Sequence, residues 1–304
     1  MKNEKGVFMT KIIFSYPDNF EFTEKLAKKL GCKLGDVVFK HFPDAESYVR
    51  ISSEVKDQDV VLVCSLTNPD SKILPIIFFA ETAKKLGAKS VGLVAPYLAY
   101  MRQDKSFQPG EAVNSKIFAN LLSSYVDWVV TVDPHLHRHK ALEEIYTIPA
   151  VSLHASKIIS VWINKNVSKP LLIGPDEESK QWVASVAECI NAPYVVLQKI
   201  RHNSTSVEVS LPNVEKYLNH TPVLVDDIIS TAGTMIETIK HLQNAKMKPT
   251  VCVGVHAVFV ADAYQKLLNA GVDRVVTCNT IKHKSNEIDV SGLVAEWMEK
   301  FNLK

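Results

Sequence analysis

The sequence predicts an α/β protein with two similar domains, each built on a mostly parallel β-sheet that is flanked by helices. Short apolar runs of strand length alternate with longer segments of helical periodicity along the chain. The alternation occurs in two series that are divided near Pro149, and 304 residues are enough for two domains. We therefore expect an N-terminal domain at residues 1–149 and a C-terminal domain at residues 150–304. Because no clear sequence repeat relates the two series, the expected similarity is architectural.

The first series begins close to the N-terminus and ends before Pro149. Its strands are expected at residues 11–14, Val37–His41, Ser47–Ile51, 59–64, 90–94 and Trp128–Val132. Its helices are expected at residues 21–30, 70–86 and 111–124, and the first two end at Gly31 and Gly87. The turn at residues 42–46 joins two adjacent strands into a hairpin.

The second series repeats the alternation after Pro149. Its strands are expected at Pro170–Gly174 and at residues 194–198, 206–210, 221–225, 251–256 and 274–277. Its helices are expected at residues 154–164, 179–189, 261–270 and 293–301, with a further helix that begins at Thr234.

Composition narrows the class of protein. A hydrophobic content of 46% and a charged content of 22% are typical of a soluble globular protein. The net charge of +2 gives no reason to expect bulk binding to nucleic acid or to a membrane surface. The five cysteines show no CxxC spacing, which favours reduced thiols. Since no signal peptide or membrane-length apolar run is visible, we expect a cytoplasmic protein with no nucleic-acid and no membrane partner.

The string VLVDDIISTAGT at residues 223–234 combines a short apolar strand, an acidic pair, a loop of small residues and the start of a helix. Open α/β sheets bind ligands at this end of their strands, and a helix N-terminus favours phosphate. Asp226 and Asp227 would repel a phosphate, so we expect them to face sugar hydroxyls or Mg²⁺. Gly233 is expected to allow a tight backbone. The alternative is a helix N-cap within a solvated turn.

Two polar segments follow strands of the first series. In the string PYLAYMRQDK at residues 96–105, Arg102, Gln103 and Lys105 offer donors for phosphates or a purine edge, although a solvated loop is the simpler interpretation. The string DPHLHRH at residues 133–139 contains three histidines, and His135 lies nearest to the end of the strand. We therefore choose His135 as the candidate metal ligand.

Two segments of the second series carry further candidates. Asp176 follows a predicted parallel strand, where it would serve either as a Mg²⁺ ligand or at a helix N-cap. Residues 198–206 are polar and basic and lie between two strands. Taken alone, this segment predicts a solvated hairpin loop. Beside a phosphate site, Lys199 and Arg201 would close over a polyphosphate and exclude water.

These strings together identify a family. FPDAESYVRI, PYLAYMRQDKSFQPGEAVNSK, TVDPHLHRH, GPD, KIR and VDDIISTAGT occur in the order found in ribose-phosphate pyrophosphokinases, also called phosphoribosyl pyrophosphate synthetases. The resemblance extends from about Lys11 to the end of the chain. VDDIISTAGT resembles the ribose 5-phosphate loop of the type I phosphoribosyltransferase fold, so the resemblance implies two domains of that fold.

The resemblance also implies roles for individual residues. ATP would be bound by Arg102 and Gln103 together with Phe42, Asp44 and Glu46 of a neighbouring subunit, which implies a homo-oligomer of at least two subunits. His135 and Asp176 would contact Mg²⁺, and Lys199 and Arg201 would stabilise the transition state. Ribose 5-phosphate would be held by Asp226, Asp227, Ser230, Thr231, Ala232, Gly233 and Thr234. Ala45 stands where the family usually has glycine, and Ser230 stands where a common version has aspartate.

The implied reaction is that of a ribose-phosphate diphosphokinase: the C1 hydroxyl of ribose 5-phosphate attacks the β-phosphorus of ATP, and AMP leaves. One alternative is a phosphoribosyltransferase that consumes phosphoribosyl pyrophosphate, but such an enzyme would not need the RQDK string. The other alternative is a non-catalytic paralogue of the synthetases, which would be expected to have lost residues such as Lys199 and Arg201.

Overall fold

The computed structural model contains two six-stranded β-sheets in which every paired strand runs parallel to its neighbour. It describes residues 11–136, 138–175, 179–201, 207–210 and 214–301, with the backbone alone at residues 181, 198–201 and 207–210. One unit contains the described residues up to Leu153 and those from Ser291 onward, and the other spans His154–Val290. The predicted α/β class with two mostly parallel sheets flanked by helices is confirmed.

The first unit is built around a sheet of six parallel strands. In chain order these strands are β1 (Lys11–Ser15), β2 (Lys33–Leu34), β5 (Asp59–Val63), β6 (Ser90–Ala95), β7 (Trp128–Val132) and β8 (Ala150–Leu153), and they are arranged as β2-β1-β5-β6-β7-β8. Helices α1 (Phe20–Leu30), α2 (Asp70–Lys85) and α3 (Asn114–Ser123) connect them, and β3 (Val37–His41) and β4 (Ser47–Ile51) form a separate antiparallel hairpin. Helices on both faces bury the central strands almost completely, as the continuous apolar runs predicted.

The hairpin is anchored to this core by aromatic packing. Phe39 lies 4.9 Å from Tyr16 and 6.1 Å from Phe79, measured between ring centroids. Phe79 in turn meets Phe14 edge-on at 5.2 Å. The base of the hairpin is therefore fixed, while the turn at residues 42–46 is exposed.

The second unit repeats the architecture. Its sheet contains β9 (Pro170–Gly174), β10 (Tyr194–Val196), β13 (Thr221–Ile229), β14 (Val251–Ala257), β15 (Arg274–Cys278) and β16 (Asn286–Ile288), arranged as β10-β9-β13-β14-β15-β16. Its helices are α4 (Ser156–Asn166), α5 (Lys180–Ile190), α6 (Gly233–Asn244) and α7 (Ala263–Asn269), and an antiparallel hairpin pairs β11 (Gln198–Arg201) with β12 (Val207–Ser210). In each sheet the chain first adds a strand on one side and then continues on the other, so a switch point lies between β1 and β5 and between β9 and β13.

The last helix, α8 (Ser291–Lys300), belongs to the first unit, so the units differ from the expected division between residues 149 and 150. Trp128 lies 5.6 Å from Trp297 and 5.4 Å from Phe301, and Lys11 Nζ donates to the carbonyl oxygen of Met298 at 2.8 Å. Burial of these aromatic rings against the amino ends of β1 and β7 accounts for the position of the helix.

Several predicted elements have different bounds in the structure. β13 continues to Ile229, so the acidic pair lies inside the strand instead of after it, and the predicted strand at residues 194–198 is divided between β10 and β11. The short strands β2, β8 and β16 were not predicted, because two to four residues become a strand only by pairing with a neighbour that is distant in sequence. Among the described residues, no helix is both long enough and apolar enough to cross a membrane.

Candidate active site

The carboxyl edge of the second sheet carries the acidic pair. Asp226 and Asp227 lie near the end of β13 and are half-buried, and the Asp227 N–H donates to Oδ1 of Asp226 at 3.0 Å. Asp226 is paired across the ladder with Gly254 of β14. A Cβ at Gly254 would lie 2.7 Å from Cδ1 of Ile229, so the glycine leaves the space that the Ile229 side chain fills beside the pair.

The segment after β13 turns sharply into α6. Ala232 has a φ of 60° and is buried, so the left-handed residue is Ala232 and not Gly233, where the sequence predicted the tight backbone. A Cβ built at Gly233 would have no atom within 4 Å. Ser230 and Thr234 are half-buried, whereas Thr231 and Gly233 are exposed. The start of α6 is thus open to solvent at Gly233, and the first amides of a helix have no carbonyl partner within that helix.

The second unit also contains the predicted residues Asp176, Lys199 and Arg201. Asp176 lies outside the described residues, two positions after the end of β9 at Gly174. Lys199 and Arg201 lie on β11, where their backbones pair with Val209 and Val207 of β12. The segment that was predicted as a loop between strands is therefore partly a strand of an antiparallel hairpin.

In the first unit, the segment after β6 has an anchored backbone and two exposed candidate side chains, Arg102 and Gln103. The Gln103 backbone carbonyl accepts from the Ser115 N–H at 3.2 Å, and its side-chain Oε1 accepts a hydrogen bond from Nδ2 of Asn114. Tyr100 donates its hydroxyl hydrogen to Asp70, which raises the pKa of Tyr100 to about 12. The segment therefore offers the Arg102 and Gln103 side chains from an anchored backbone.

The segment after β7 contains His135, which is half-buried. The preceding Asp133 is buried, has a φ of 36°, and donates its N–H to the carbonyl of Leu153 at 2.8 Å. Further along, Arg138 Nη1 lies 2.5 Å from Oδ1 of Asp104. The segments that follow β6 and β7 are thus connected by an ion pair.

The turn of the β3–β4 hairpin presents the remaining candidates. Phe42, Asp44 and Glu46 are all exposed, and the Phe42 N–H donates to the Glu46 carbonyl at 2.8 Å. Ala45 has a φ of 70°, a left-handed conformation that glycine adopts more readily. Residue 45 of the turn is therefore left-handed although it is alanine, where the family usually has glycine.

The switch point of the first unit is filled by a side chain of the protein itself. Lys72, only 7% exposed in its side chain, pairs with Asp18 and donates to the Ser65 carbonyl at 2.6 Å and to Thr67 Oγ1 at 3.1 Å. An ammonium group therefore occupies the crevice between β1 and β5.

Comparisons with known proteins identify the family. The family model described as the N-terminal domain of ribose phosphate pyrophosphokinase matches residues 11–125, and the one described as the phosphoribosyl transferase domain matches residues 141–293. A ribose-phosphate pyrophosphokinase of Saccharolobus solfataricus is 34% identical over 281 residues, which cover 90% of this chain and 94% of the relative. The chain belongs to the ribose-phosphate pyrophosphokinase family.

Other members of the ribose-phosphate pyrophosphokinase family show the same extent of similarity. The protein of Sulfurisphaera tokodaii is 33% identical over 280 residues, covering 90% of this chain and 94% of that one. The protein of Methanosarcina mazei is 31% identical over 297 residues and covers 97% of each chain. The crystal structure of phosphoribosylpyrophosphate synthetase from Mycobacterium smegmatis matches with a TM-score of 0.84 at 21% identity, covering 95% of this chain and 98% of that chain, which shows the fold. The predicted family and fold are confirmed.

Two groups of residues that contact segments with candidate residues were not predicted from the sequence of this pyrophosphokinase. The first group is the ion pair of Asp104 with Arg138. A sequence motif does not show that the aspartate of the RQD string is buried, nor that its partner lies 34 residues further along the chain. The second is a cluster of Phe259, Tyr264 and His283, in which the rings lie 4.6 to 5.3 Å apart. The only available signal was that Phe259 and His283 each follow a predicted strand of the second series.

Proposed function

We propose that this chain transfers the β,γ-diphosphoryl group of ATP to the C1 hydroxyl of ribose 5-phosphate, which gives phosphoribosyl pyrophosphate and AMP. The observation that carries the proposal is the carboxyl edge of the second sheet, where Asp226 and Asp227 lead into the open N-terminus of α6. Relatives that share about a third of their residues over nine-tenths of this chain are named for the same reaction, which supports the proposal.

The two parts of this edge suit the two ends of ribose 5-phosphate. The N-terminus of α6 favours an anion because its first amides are unpaired and the helix dipole is positive there. The backbone from Ser230 to Thr234 would therefore hold the 5-phosphate, with hydroxyl groups at residues 230, 231 and 234 as further donors. The carboxylates of Asp226 and Asp227 would accept hydrogen bonds from the 2- and 3-hydroxyls. They precede the helix and so need not contact the phosphate.

ATP would be bound by exposed side chains of the first unit. Arg102 suits phosphates and Gln103 suits the polar edge of a purine. Phe42, Asp44 and Glu46 would reach the ATP site of a neighbouring subunit, so the active form would be a homo-oligomer of at least two chains. The exposure of Phe42 (43%), and of Leu74 and Phe78 on α2, supports association because large apolar side chains gain by burial.

We propose Mg²⁺ as the metal ion and His135 and Asp176 as residues that would contact it. The carboxylates of Asp226 and Asp227 offer oxygen atoms of the kind that Mg²⁺ prefers. Within the described parts of the chain no three His, Cys, Asp or Glu side chains form a metal-binding group. In many enzymes one or two carboxylates and the substrate phosphates hold the ion. When bound, Mg²⁺ neutralises phosphate charge.

Lys199 and Arg201 are proposed as the catalytic residues. As the C1 oxygen bonds to the β-phosphorus and the bond to the α-phosphate oxygen breaks, negative charge moves towards the departing AMP. A lysine and an arginine beside that oxygen would stabilise the charge. No residue in the chain stands out as a general base.

The decisive experiment is an assay of nucleotide products with ATP, Mg²⁺ and ribose 5-phosphate. We expect one AMP for each phosphoribosyl pyrophosphate formed, separated by ion-exchange chromatography. Stoichiometric ADP would contradict diphosphoryl transfer. Consumption of added phosphoribosyl pyrophosphate with a nucleobase, without AMP release from ATP, would instead indicate a phosphoribosyltransferase. A folded protein with no turnover would indicate the non-catalytic paralogue.

We infer a cytoplasmic location from the cysteines. The five cysteines all lie among the described residues and form no disulfide bond, and Cys64, Cys252 and Cys278 are buried. Burial raises the pKa of the Cys252 thiol to about 12, so that thiol stays protonated. Cysteines that form no disulfide bond are typical of a reducing compartment.

A further inference from the structure

Three aromatic rings of the second unit form a cluster at the carboxyl ends of β14 and β15. The ring of Phe259, which follows β14, lies 5.3 Å from that of Tyr264 in α7 and 4.6 Å from the imidazole of His283, which follows β15. Tyr264 and His283 are 4.8 Å apart, so each ring contacts the other two. The Nζ of Lys284 lies 4.4 Å from the centre of the Tyr264 ring and adds a cation–π contact. We call Phe259, Tyr264 and His283 the aromatic cluster.

The backbone beside the aromatic cluster is bonded to the start of the proposed phosphate loop. The Phe259 N–H donates to the carbonyl of Ile229 at 2.9 Å, and the Val260 N–H donates to the carbonyl of Ser230 at 3.2 Å. Ile229 is the last residue of β13, and Ser230 is the first residue of the loop. These two bonds continue the β13–β14 pairing past the end of β14. The positions of Ile229 and Ser230 therefore depend on where the backbone of Phe259 and Val260 lies.

Hydrogen bonds with residues that follow β15 hold His283 in place. The Ser285 N–H lies 3.2 Å from Nδ1 of His283, and a backbone amide can only donate, so Nδ1 is an acceptor and the ring is neutral. The His283 N–H donates to Oδ1 of Asn286 at 2.9 Å. Nδ2 of Asn286 donates in turn to Thr277 Oγ1 and to the Cys278 carbonyl, both at 2.9 Å. Burial, with Lys284 nearby, lowers the pKa of His283, which agrees with a neutral ring.

These contacts form a continuous support from β15 to the loop. It runs from Asn286 through His283 to the Phe259 ring, and from the backbone of Phe259 and Val260 to Ile229 and Ser230. We propose that the aromatic cluster positions the ribose 5-phosphate loop, so that loss of its ring contacts weakens binding of the sugar phosphate and leaves ATP binding unchanged. The physical reason is preorganisation: a loop that must be ordered on binding loses affinity, and a functional group must be held close to its productive position. The role of the cluster rests on the proposed function, because ribose 5-phosphate defines the loop.

The first test is a kinetic comparison of variants. Phe259→Ala should raise KM for ribose 5-phosphate by about tenfold or more, since a displacement near 1 Å can cost on the order of 10²-fold. KM for ATP should stay within about twofold. Phe259→Tyr keeps the ring and should restore near-normal KM, and His283→Ala should change KM in the same direction as Phe259→Ala. Phe259 is half-buried, so the Ala variant is expected to fold, and a thermal melt checks this.

The second test needs no enzyme activity. Hydrogen exchange of a peptide covering residues 229–236 should be faster in Phe259→Ala and His283→Ala than in the parent protein. A matched control is Tyr217→Ala, which breaks another aromatic–histidine pair of the same unit, with 5.3 Å between Tyr217 and His220, on the segment before β13. This control should leave exchange at residues 229–236 unchanged.

The outcomes separate the two proposals. A parent protein that releases no AMP would contradict the proposed function, whereas hydrogen exchange would still test the support of the loop. Unchanged KM for ribose 5-phosphate together with unchanged exchange in Phe259→Ala would show that the aromatic cluster only packs. Equal rises in both KM values, accompanied by a lower Tm, would show general destabilisation and would also overturn the positioning role.

Discussion

Arg138 Nη1 lies 2.5 Å from Oδ1 of Asp104, and the Asp104 side chain is 2% exposed while that of Arg138 is 42% exposed. The other carboxylate oxygen, Oδ2, is buried and has no hydrogen-bond partner among the described residues. The negative charge of the buried Asp104 carboxylate is therefore compensated mainly by Arg138. Because Asp104 follows β6 and Arg138 follows β7, the pair connects two segments that carry proposed binding residues.

Removal of the arginine should destabilise the protein. We expect Arg138→Ala to lower the free energy of unfolding by about 2 kcal/mol, because a buried charged acceptor loses its partner. Asp104→Asn in the same background should recover part of the loss by removing the charge. Urea denaturation measures both effects. The exposed pair Lys300–Glu296 provides a control, since Lys300→Ala should cost about 0.5 kcal/mol or less.

The acidic pair should control affinity for ribose 5-phosphate. The double variant Asp226→Ala, Asp227→Ala removes the acceptors proposed for the 2- and 3-hydroxyls, so binding measured by calorimetry should weaken by about tenfold or more. Asp262→Ala, which removes an exposed partner of Lys266, is the matched control and should bind normally. Unchanged affinity in the double variant would place the sugar site elsewhere.

The basic pair on β11 should control turnover. Alanine at both Lys199 and Arg201 should lower kcat by at least about 10²–10³-fold, the usual loss for one preorganised donor. Affinity for ribose 5-phosphate should change little, because the pair acts on charge that develops during the reaction. Steady-state kinetics and a thermal melt separate this result from unfolding. Near-normal kcat, or loss of activity only through unfolding, would refute the catalytic role.

Gly254 should be intolerant of a side chain. Gly254→Ala should cost about 1–3 kcal/mol through overpacking, because the new Cβ would lie 2.7 Å from Cδ1 and Cγ1 of Ile229. Ile229→Ala should relieve this contact, so the double variant should be more stable than the sum of the single changes predicts. Additive losses in a denaturation cycle would show that Ile229 moves aside without cost.

His283 should make stability depend on pH in a known direction. Its pKa lies below the usual 6.5, so the unfolded state takes up the proton first as the pH falls. The stability that the neutral ring contributes is fully present above about pH 6.5. It is lost progressively as the pH falls from there to the pKa of His283 in the folded protein. The difference in unfolding free energy between the parent protein and His283→Gln should therefore shrink from pH 7.5 to pH 5.5. A constant difference would show that the imidazole titrates normally in the folded protein.

Much of the fold was readable from local sequence. The bounds of Val37–His41, Ser47–Ile51, Trp128–Val132 and Pro170–Gly174 were predicted as the structure has them, because apolar runs between turn residues specify strands locally. The strand and the helix of residues 223–234 were also predicted, although the structure places the acidic pair inside β13 and not after it. The family followed from this string together with the other strings quoted for it. The roles of the individual site residues remain predictions that the variants above test.

The sequence by itself therefore determined the alternation of elements, the fold class and the family. Only the tertiary structure decided that α8 packs on the first unit, that Lys72 fills the crevice between β1 and β5, and that Ala232 carries the left-handed turn. It also decided that Arg138 compensates Asp104 and that the rings of Phe259 and His283 contact each other. Periodicity and turn chemistry act over a few neighbouring residues, so a local pattern can reveal them. Burial, ion pairing and ring contacts depend on residues that meet only after the chain has folded.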